Sequence, residues 1–188
     1  MRSVRLSLAT DSPLIHTGDI LVCRGDGVMA EAIEHVTKSD RIHVAMAGLM
    51  LSEWYIGRTF LAETIQQYAT RIIDLAGEIH RFPGWYDVYR VRGMWRSDAA
   101  WQFMCDASGG GYGWRYIVRT WLRRRLGRRL VPPIPNSSNP QANRHCAALV
   151  HAALRAGGGP QVEAFDCDVV PGHYTDDRWF KYVGTLWP

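Results

Sequence analysis

A thiol, an imidazole and a carboxylate stand at Cys146, His43 and Glu63 in settings that suit acyl-transfer chemistry. Cys146 opens an apolar helical pattern directly after a segment rich in Asn and Ser. The free N–H groups and positive dipole of a helix N-terminus stabilise a thiolate and a developing oxyanion. His43 opens a buried strand-like run, whose backbone can hold an imidazole as a general base. Glu63 ends the apolar run at 60–62 and can orient that imidazole.

Each of these three residues also has a purely structural interpretation. Free cysteines are commonly buried apolar residues, and Cys146 belongs to the apolar stripe of its helix. A histidine in a strand is more often structural than catalytic. Glu53 competes with Glu63 for the acidic position, although it lies nearer a predicted turn. Taken one at a time, the residue types leave catalysis and structure both open.

The elements that position these residues follow from hydrophobic periodicity and turn signals. Strands are predicted for ILVCR after Gly18-Asp19, for 42–48, within 49–63 with a break near Gly57, for 85–91 and near the C-terminus. Helices are predicted at 27–38, 74–79, 97–107 behind a Ser97-Asp98 cap, 114–130 and 144–159. The Gly-rich run at 108–113 is predicted to be a flexible turn, and 131–143 to be a loop. This order predicts one α+β domain over residues 1–188, with a largely antiparallel sheet packed against helices.

The order of these motifs resembles the circularly permuted papain-like hydrolases of the NlpC superfamily, the YiiX-like group. In that group the histidine strand precedes the cysteine helix. The resemblance is strongest over 18–63 and 143–157 and looser in three other segments. The segments with the stronger match are GDILVCR, AIEHVTKS, RIHVAMAG, FLAET and NRHCAALVHAAL. The looser matches are YDVYRV, Tyr112-Gly113-Trp114 and VVPGHY.

The resemblance implies a papain-like fold with Cys146 as nucleophile, His43 as base and Glu63 as the third member. Asp19 would be a conformational residue or lie at the edge of the site, and the chemistry needs no metal or organic cofactor. The sequence departs from the family pattern at His145, at the Thr-Ile-Gln-Gln that follows Glu63, and in its Arg-rich helix. These departures bear on the choice of substrate more than on the chemistry.

The expected activity is a thiol amidase or peptidase that cleaves an amide bond, for example in peptidoglycan peptides, through a thioester. The competing functions are a lipid acyl esterase or acyltransferase at an anionic membrane, and a non-catalytic binding module on the same fold. Substrate contacts are expected at Asp19, Tyr112, Trp114 and His145. Burial in the core is the competing interpretation for Tyr112 and Trp114.

The net charge of +4 is concentrated in seven arginines between Arg115 and Arg129. This helix is predicted either to bind an anionic surface or to pack on the domain through an apolar stripe while its arginines face water. No known nucleic-acid-binding motif accompanies it, so specific nucleic-acid binding is not expected. The arginines of the anionic-surface interpretation are Arg115, Arg119, Arg123, Arg124 and Arg125. The stripe consists of Ile117, Val118, Trp121, Leu122 and Leu126.

The remaining sequence signals exclude several classes of protein. Four separated cysteines without a CxxC pair indicate free thiols. The spacing of His145, Cys146 and His151 does not match a zinc site. No signal peptide or membrane-spanning run is visible, which predicts a cytoplasmic protein. A cell-wall substrate would then require another route of release, as for phage-associated proteins.

Overall fold

The fold is built on a single mixed sheet whose strands come from both ends of the chain. The computed structural model describes residues 5–6, 14–25, 31, 34–35, 37, 39–49, 58–82 and 84–187. Within these ranges seven strands pair in the order β1-β7-β6-β2-β3-β4-β5. They are β1 (Arg5–Leu6), β2 (Ile20–Arg24), β3 (His43–Leu49), β4 (Thr59–Ile65), β5 (Ala69–Asp74), β6 (Trp85–Val91) and β7 (Phe180–Leu186).

All neighbouring strands run antiparallel except β1, which lies parallel to β7. The predicted α+β class with a largely antiparallel sheet is therefore confirmed. The predicted helix at 27–38 and the predicted strand around 49–57 fall largely outside the described residues.

The central strands are buried on both faces, as their almost continuous apolar sequences predict. Side chains alternate across the sheet, so Ile20 and Val22 join one core while Leu21 and Cys23 join the other. The larger core contains the helices nearest the candidate nucleophile, and the smaller core contains a short helix beneath the opposite face. Packing on both faces thus holds the middle of the sheet in place, and with it the side chains at the strand ends.

Four helices lie within the described ranges 58–82 and 84–187. They are α1 (Leu75–Arg81), α2 (Ser97–Asp106), α3 (Trp114–Leu126) and α4 (Cys146–Ala156). Asp74 caps α1 by accepting a hydrogen bond from the Gly77 N–H. The N-cap of α2 is Arg96, without a side-chain cap, rather than the predicted Ser97 or Asp98. None of the described helices is both long enough and apolar enough to cross a bilayer.

Helix α3 is shorter than its predicted range of 114–130. It ends at Leu126 because Gly127 adopts a φ of 99°, a left-handed conformation that glycine takes without steric cost. The segment beyond it, at 131–143, is irregular as predicted.

The buried guanidinium of Arg144 holds this irregular loop together by hydrogen bonds to its backbone. It donates to the backbone carbonyls of Ser137, Asn139, Pro140 and Ala142, at 2.6 to 3.3 Å, and its side chain is fully buried. One buried arginine therefore supplies the hydrogen bonds that regular secondary structure would otherwise provide. The loop is consequently held directly ahead of Cys146.

Candidate active site

Strand register brings His43 and Glu63 to the same face of the sheet. Met46 pairs with Ala62 and Ala47 with Leu61. Continuing this register places Glu63 diagonally across from His43, and residues in that relation share a face. The Nε2 of His43 lies 2.8 Å from Oε2 of Glu63. The carboxylate thus occupies one imidazole nitrogen and leaves Nδ1 for another partner.

The carboxylate of Glu63 is buried and held from its other side by Arg71. Arg71 lies directly opposite Glu63 in the β4–β5 pair and donates to Oε1 from Nε at 2.9 Å and from a terminal nitrogen at 2.6 Å. Burial raises the pKa of Glu63, but the hydrogen bonds and charges of His43 and Arg71 outweigh it and lower that pKa. Glu63 is therefore held as an anion beside the imidazole.

Sequence reasoning missed Arg71, although a signal for it was present. An acidic residue and a basic residue flank the turn at 66–68. In a tight hairpin such residues face each other across the two strands. Recognising β5 as the partner of β4 would have placed the arginine next to Glu63.

Cys146 is the first residue of α4, where the helix packs against the sheet. His145 is the N-cap and accepts a long hydrogen bond of 3.5 Å from the Ala148 N–H at its Nδ1. The hydroxyl of Tyr174 donates to the carbonyl of Ala147 at 2.7 Å. These contacts fix the first turn of α4, whose N–H groups have no partner within the helix.

The thiol of Cys146 and the imidazole of His43 shift each other's pKa. Burial raises the pKa of Cys146, but the neighbouring imidazoles, His43 first and then His145, outweigh it and lower that pKa to about 5. Burial lowers the pKa of His43, but the charge and hydrogen bond of Cys146, followed by those of Glu63, raise it to about 10. The two shifts are in opposite directions, and together they favour a thiolate beside an imidazolium.

A cleft of about 520 Å³ opens over this pair and is lined by His43, Glu63, His145 and Cys146. Most of the other lining side chains are apolar or aromatic. They include Ile42, Ile65, Phe82, Tyr86, Tyr112, Trp114, Ile117, Val170 and Pro171. The structure thus brings Tyr112, Trp114 and His145 to the cleft with the three candidate catalytic residues.

The Gly-rich run at 108–113 is not the flexible turn that the sequence predicts. Tyr112 forms a parallel bridge with Arg144, and the Gly113 N–H donates to the Arg144 carbonyl at 3.0 Å. A Cβ atom on Gly113 would lie 2.6 Å from the backbone of Arg144. Glycine is needed here because two backbones meet directly before the nucleophile, and this contact holds Tyr112 at the cleft.

Asp19 is placed differently from the prediction that it contacts substrate. Its buried carboxylate accepts from Nε and a terminal nitrogen of Arg90 at 2.8 and 2.7 Å, and from the His16 N–H at 2.8 Å. It is absent from the cleft lining. These bonds tie the turn before β2 to Arg90 of β6, so the carboxylate has a structural role.

The prediction that Arg123 belongs to an anion-binding arginine surface is wrong. It is buried, and its guanidinium pairs with Asp168 and donates to the Val131 carbonyl. The predicted apolar packing stripe of this helix is also wrong. The buried positions of α3 are Tyr116, Thr120 and Arg123, while Val118, Trp121 and Leu126 are exposed.

The other three cysteines lie in settings that disfavour a thiolate. Burial raises the pKa of Cys23, Cys105 and Cys167, and neighbouring acidic groups raise it further. All four cysteines are free thiols. Cys146 is therefore distinguished by its charged partners and not by burial, which it shares with Cys23 and Cys167.

A metal does not fit the donor groups of the described residues. No group of three or more His, Cys, Asp or Glu side chains in these ranges converges on a point that would hold an ion. The His43 imidazole is already bonded to the Glu63 carboxylate, and that carboxylate also accepts from Arg71.

The structure is similar to a solved one of known fold. The metalloprotein YiiX from Escherichia coli O157:H7 superposes with a TM-score of 0.64 at 17% sequence identity, over 93% of this chain and 99% of that chain. No protein-family model matches the sequence, and no curated protein matches it. The chain therefore has a YiiX-like fold.

Proposed function

We propose that this protein is a cysteine hydrolase in which Cys146, His43 and Glu63 form a catalytic triad. The observation that carries this proposal is that Cys146 and His43 line one cleft, with the imidazole bonded to a carboxylate that Arg71 holds. The wider assignment to permuted papain-like hydrolases of the NlpC superfamily is part of this proposal. It agrees with the YiiX-like fold and with the order of the histidine strand and the cysteine helix.

In the proposed mechanism the Cys146 thiolate attacks an amide carbonyl to form a tetrahedral intermediate. Backbone N–H groups in the first turn of α4 stabilise its oxyanion. His43 protonates the leaving amine, and a thioester remains on Cys146. His43 then takes a proton from water, which attacks the thioester and releases the acid. Glu63 stabilises the imidazolium throughout and fixes the ring orientation.

The leading substrate class is a peptide amide, with peptidoglycan peptides as the candidate suggested by the family resemblance. One observation favours a second class, a lipid acyl ester. The cleft beside Cys146 is lined mainly by apolar and aromatic side chains. An acyl chain would be desolvated there with little loss of polar contacts.

The first test is alkylation of each cysteine by iodoacetamide as a function of pH, read by peptide mass spectrometry. Because the pKa of Cys146 is lowered to about 5, this residue is expected to be labelled rapidly at mildly acidic pH. Cys23, Cys105 and Cys167 serve as internal controls, since their pKa values are raised. His43→Ala should move the Cys146 profile to alkaline pH. The exposed His80→Ala is the matched control.

The second test measures whether Cys146 catalyses the hydrolysis of a substrate. Wild-type protein is mixed with p-nitrophenyl acyl esters and aminoacyl p-nitroanilides, and the acyl-enzyme is sought by intact-protein mass spectrometry. An adduct on Cys146 that decays with product release supports the hydrolase, and the released product separates esterase from amidase activity. A reactive Cys146 that never accumulates an adduct and never releases product would favour the non-catalytic binding module.

A further inference from the structure

One face of helix α3 presents large apolar side chains to solvent. Trp114, Val118 and Trp121 follow one another at intervals of four and three residues, which places them on one side of a helix. Their exposed fractions are 49%, 54% and 45%. Singly exposed apolar residues are ordinary, but an aligned row containing two tryptophans indicates an interaction surface.

The exposure of this row follows from how the opposite face is anchored. The Thr120 hydroxyl donates to the Cys167 carbonyl, and Arg123 pairs with the buried Asp168. Tyr116 is buried on the same inner side. These contacts determine the rotation of the helix, so the row cannot turn inward without breaking a buried ion pair.

Arginines border the apolar row. Arg115 and Arg125 are exposed and Arg119 is half-buried. Within the described part of the chain, none of these three pairs with a carboxylate, whereas the nearby Arg128 pairs with Glu163 at 2.7 Å. Their charges are therefore available to an external anion. We call the surface formed by Trp114, Val118, Trp121, Arg115, Arg119 and Arg125 the outer face of α3.

We propose that the outer face of α3 docks on the surface of an anionic phospholipid bilayer. Tryptophan side chains partition to the level of the lipid headgroups, and a valine between them adds apolar area. The bordering arginines pair with lipid phosphates and gain from the negative surface potential. A nucleic acid would also attract the arginines, but it would leave the aliphatic part of the row in water.

Docking in this orientation brings the cleft to the membrane. Trp114, Ile117 and Thr120 of the same helix line the cleft that contains Cys146. Trp114 belongs to both surfaces, so the cleft opening lies beside the bound bilayer. The docking itself does not depend on Cys146 acting as a nucleophile, and it is testable in a protein without that thiol.

The test is co-flotation of the Cys146→Ala protein with phosphatidylcholine vesicles that contain or lack phosphatidylglycerol, at low and high salt. Binding is expected only with phosphatidylglycerol, and salt should weaken it by screening. Replacing Arg115, Arg119 and Arg125 with Gln should weaken binding on the order of a hundredfold, because each such charge contributes roughly fivefold. Trp121→Ala should weaken it by roughly tenfold.

Matched controls remove the same charge and the same kind of apolar side chain elsewhere. Replacing the exposed Arg58, Arg92 and Lys181 with Gln lowers the net charge equally, and Met94→Ala removes a fully exposed apolar side chain. These variants should bind like the parent protein. Equal losses in the control and outer-face variants would overturn the proposal. So would absence of binding to phosphatidylglycerol vesicles, or retention on a heparin or nucleic-acid matrix without vesicle binding.

Discussion

The lowered pKa of Cys146 comes from the imidazoles of His43 and His145, one from strand β3 and one from the N-cap of α4. A buried thiol ordinarily resists ionisation, and the three other cysteines show that effect. At Cys146 the imidazoles of His43 and His145 reverse it. His145 also has a buried Nε2 without a hydrogen-bond partner among the described residues. Its ring therefore retains hydrogen-bonding capacity beside the thiol.

At the residue scale, Arg71 is predicted to act as a positioning residue through Glu63. Arg71→Met removes the partner that offsets the burial of Glu63, so the pKa of Glu63 should rise and the imidazolium should lose support. We expect the alkylation profile of Cys146 to move to higher pH and its rate at mildly acidic pH to fall about tenfold, a change of about 1.4 kcal/mol. The pH profile of alkylation measures this directly.

Two control variants separate charge from packing at this position. Arg71→Lys keeps a cation near Glu63 and should restore part of the rate. Arg81→Met removes an exposed arginine from the end of α1 and should leave the profile unchanged. An unaltered Cys146 profile in Arg71→Met would show that Glu63 does not need its arginine.

At the element scale, helix α4 is held by a buried charge cluster on the side away from the cleft. Asp166 accepts from His151 at 2.9 Å and from Arg155, and Arg144 lies 3.7 Å away. Burial raises the pKa of Asp166, but the bonds and charges of His151 and Arg155 outweigh it and lower that pKa. The cluster ties α4 to the loop at 131–143 and to the short 3₁₀ turn Asp166–Asp168.

Asp166→Asn is predicted to lower the free energy of unfolding by about 3–5 kcal/mol near neutral pH, because it leaves buried cations without their anion. The folded pKa of Asp166 is depressed, so its stabilisation is present above the ordinary value of 3.8 and is lost as pH falls through the folded value. The variant should therefore show a weaker acid dependence. Urea unfolding across a pH series measures both effects.

The exposed Asp176 provides the control for this prediction. It pairs with Arg178 at the surface, and exposed ion pairs contribute little to stability. Asp176→Asn should unfold at nearly the same urea concentration as the wild type. A similar loss in both variants would contradict the special role of the buried cluster.

At the scale of the whole molecule, the sheet joins distant parts of the chain. The two residues of β1 pair with the end of β7, and β2 lies between β6 and β3. The candidate nucleophile and its base come from elements at 146 and 43, so the site exists only when this sheet and α4 have assembled. The extent of the domain, 1–188, remains a prediction.

A single domain predicts one cooperative unfolding transition. Because both cores pack on the same sheet, neither should melt alone. Calorimetry is expected to give equal calorimetric and van't Hoff enthalpies, with coincident near- and far-ultraviolet dichroism curves. Two resolved transitions would show that the chain contains independently stable units.

The sequence by itself determined the features that depend on local pattern. Alternation and apolar runs predict β2, β3 and β6, and the helical stripe with its preceding polar loop places Cys146 at a helix start. The placement of His43 at the start of a strand and of Glu63 near the end of another follows from the same patterns. These features are readable because they depend on residues close in the chain.

Only the tertiary structure decided which charged groups meet. Glu63 binds Arg71, Asp19 binds Arg90 and Arg123 binds Asp168, and none of these pairs was predicted. Strand register and helix rotation select such partners, and those depend on the packing of the whole sheet. Helix α3 shows the same point, because one buried salt bridge turns its arginine inward and leaves two tryptophans in solvent. The local hydrophobic pattern alone predicts the opposite orientation.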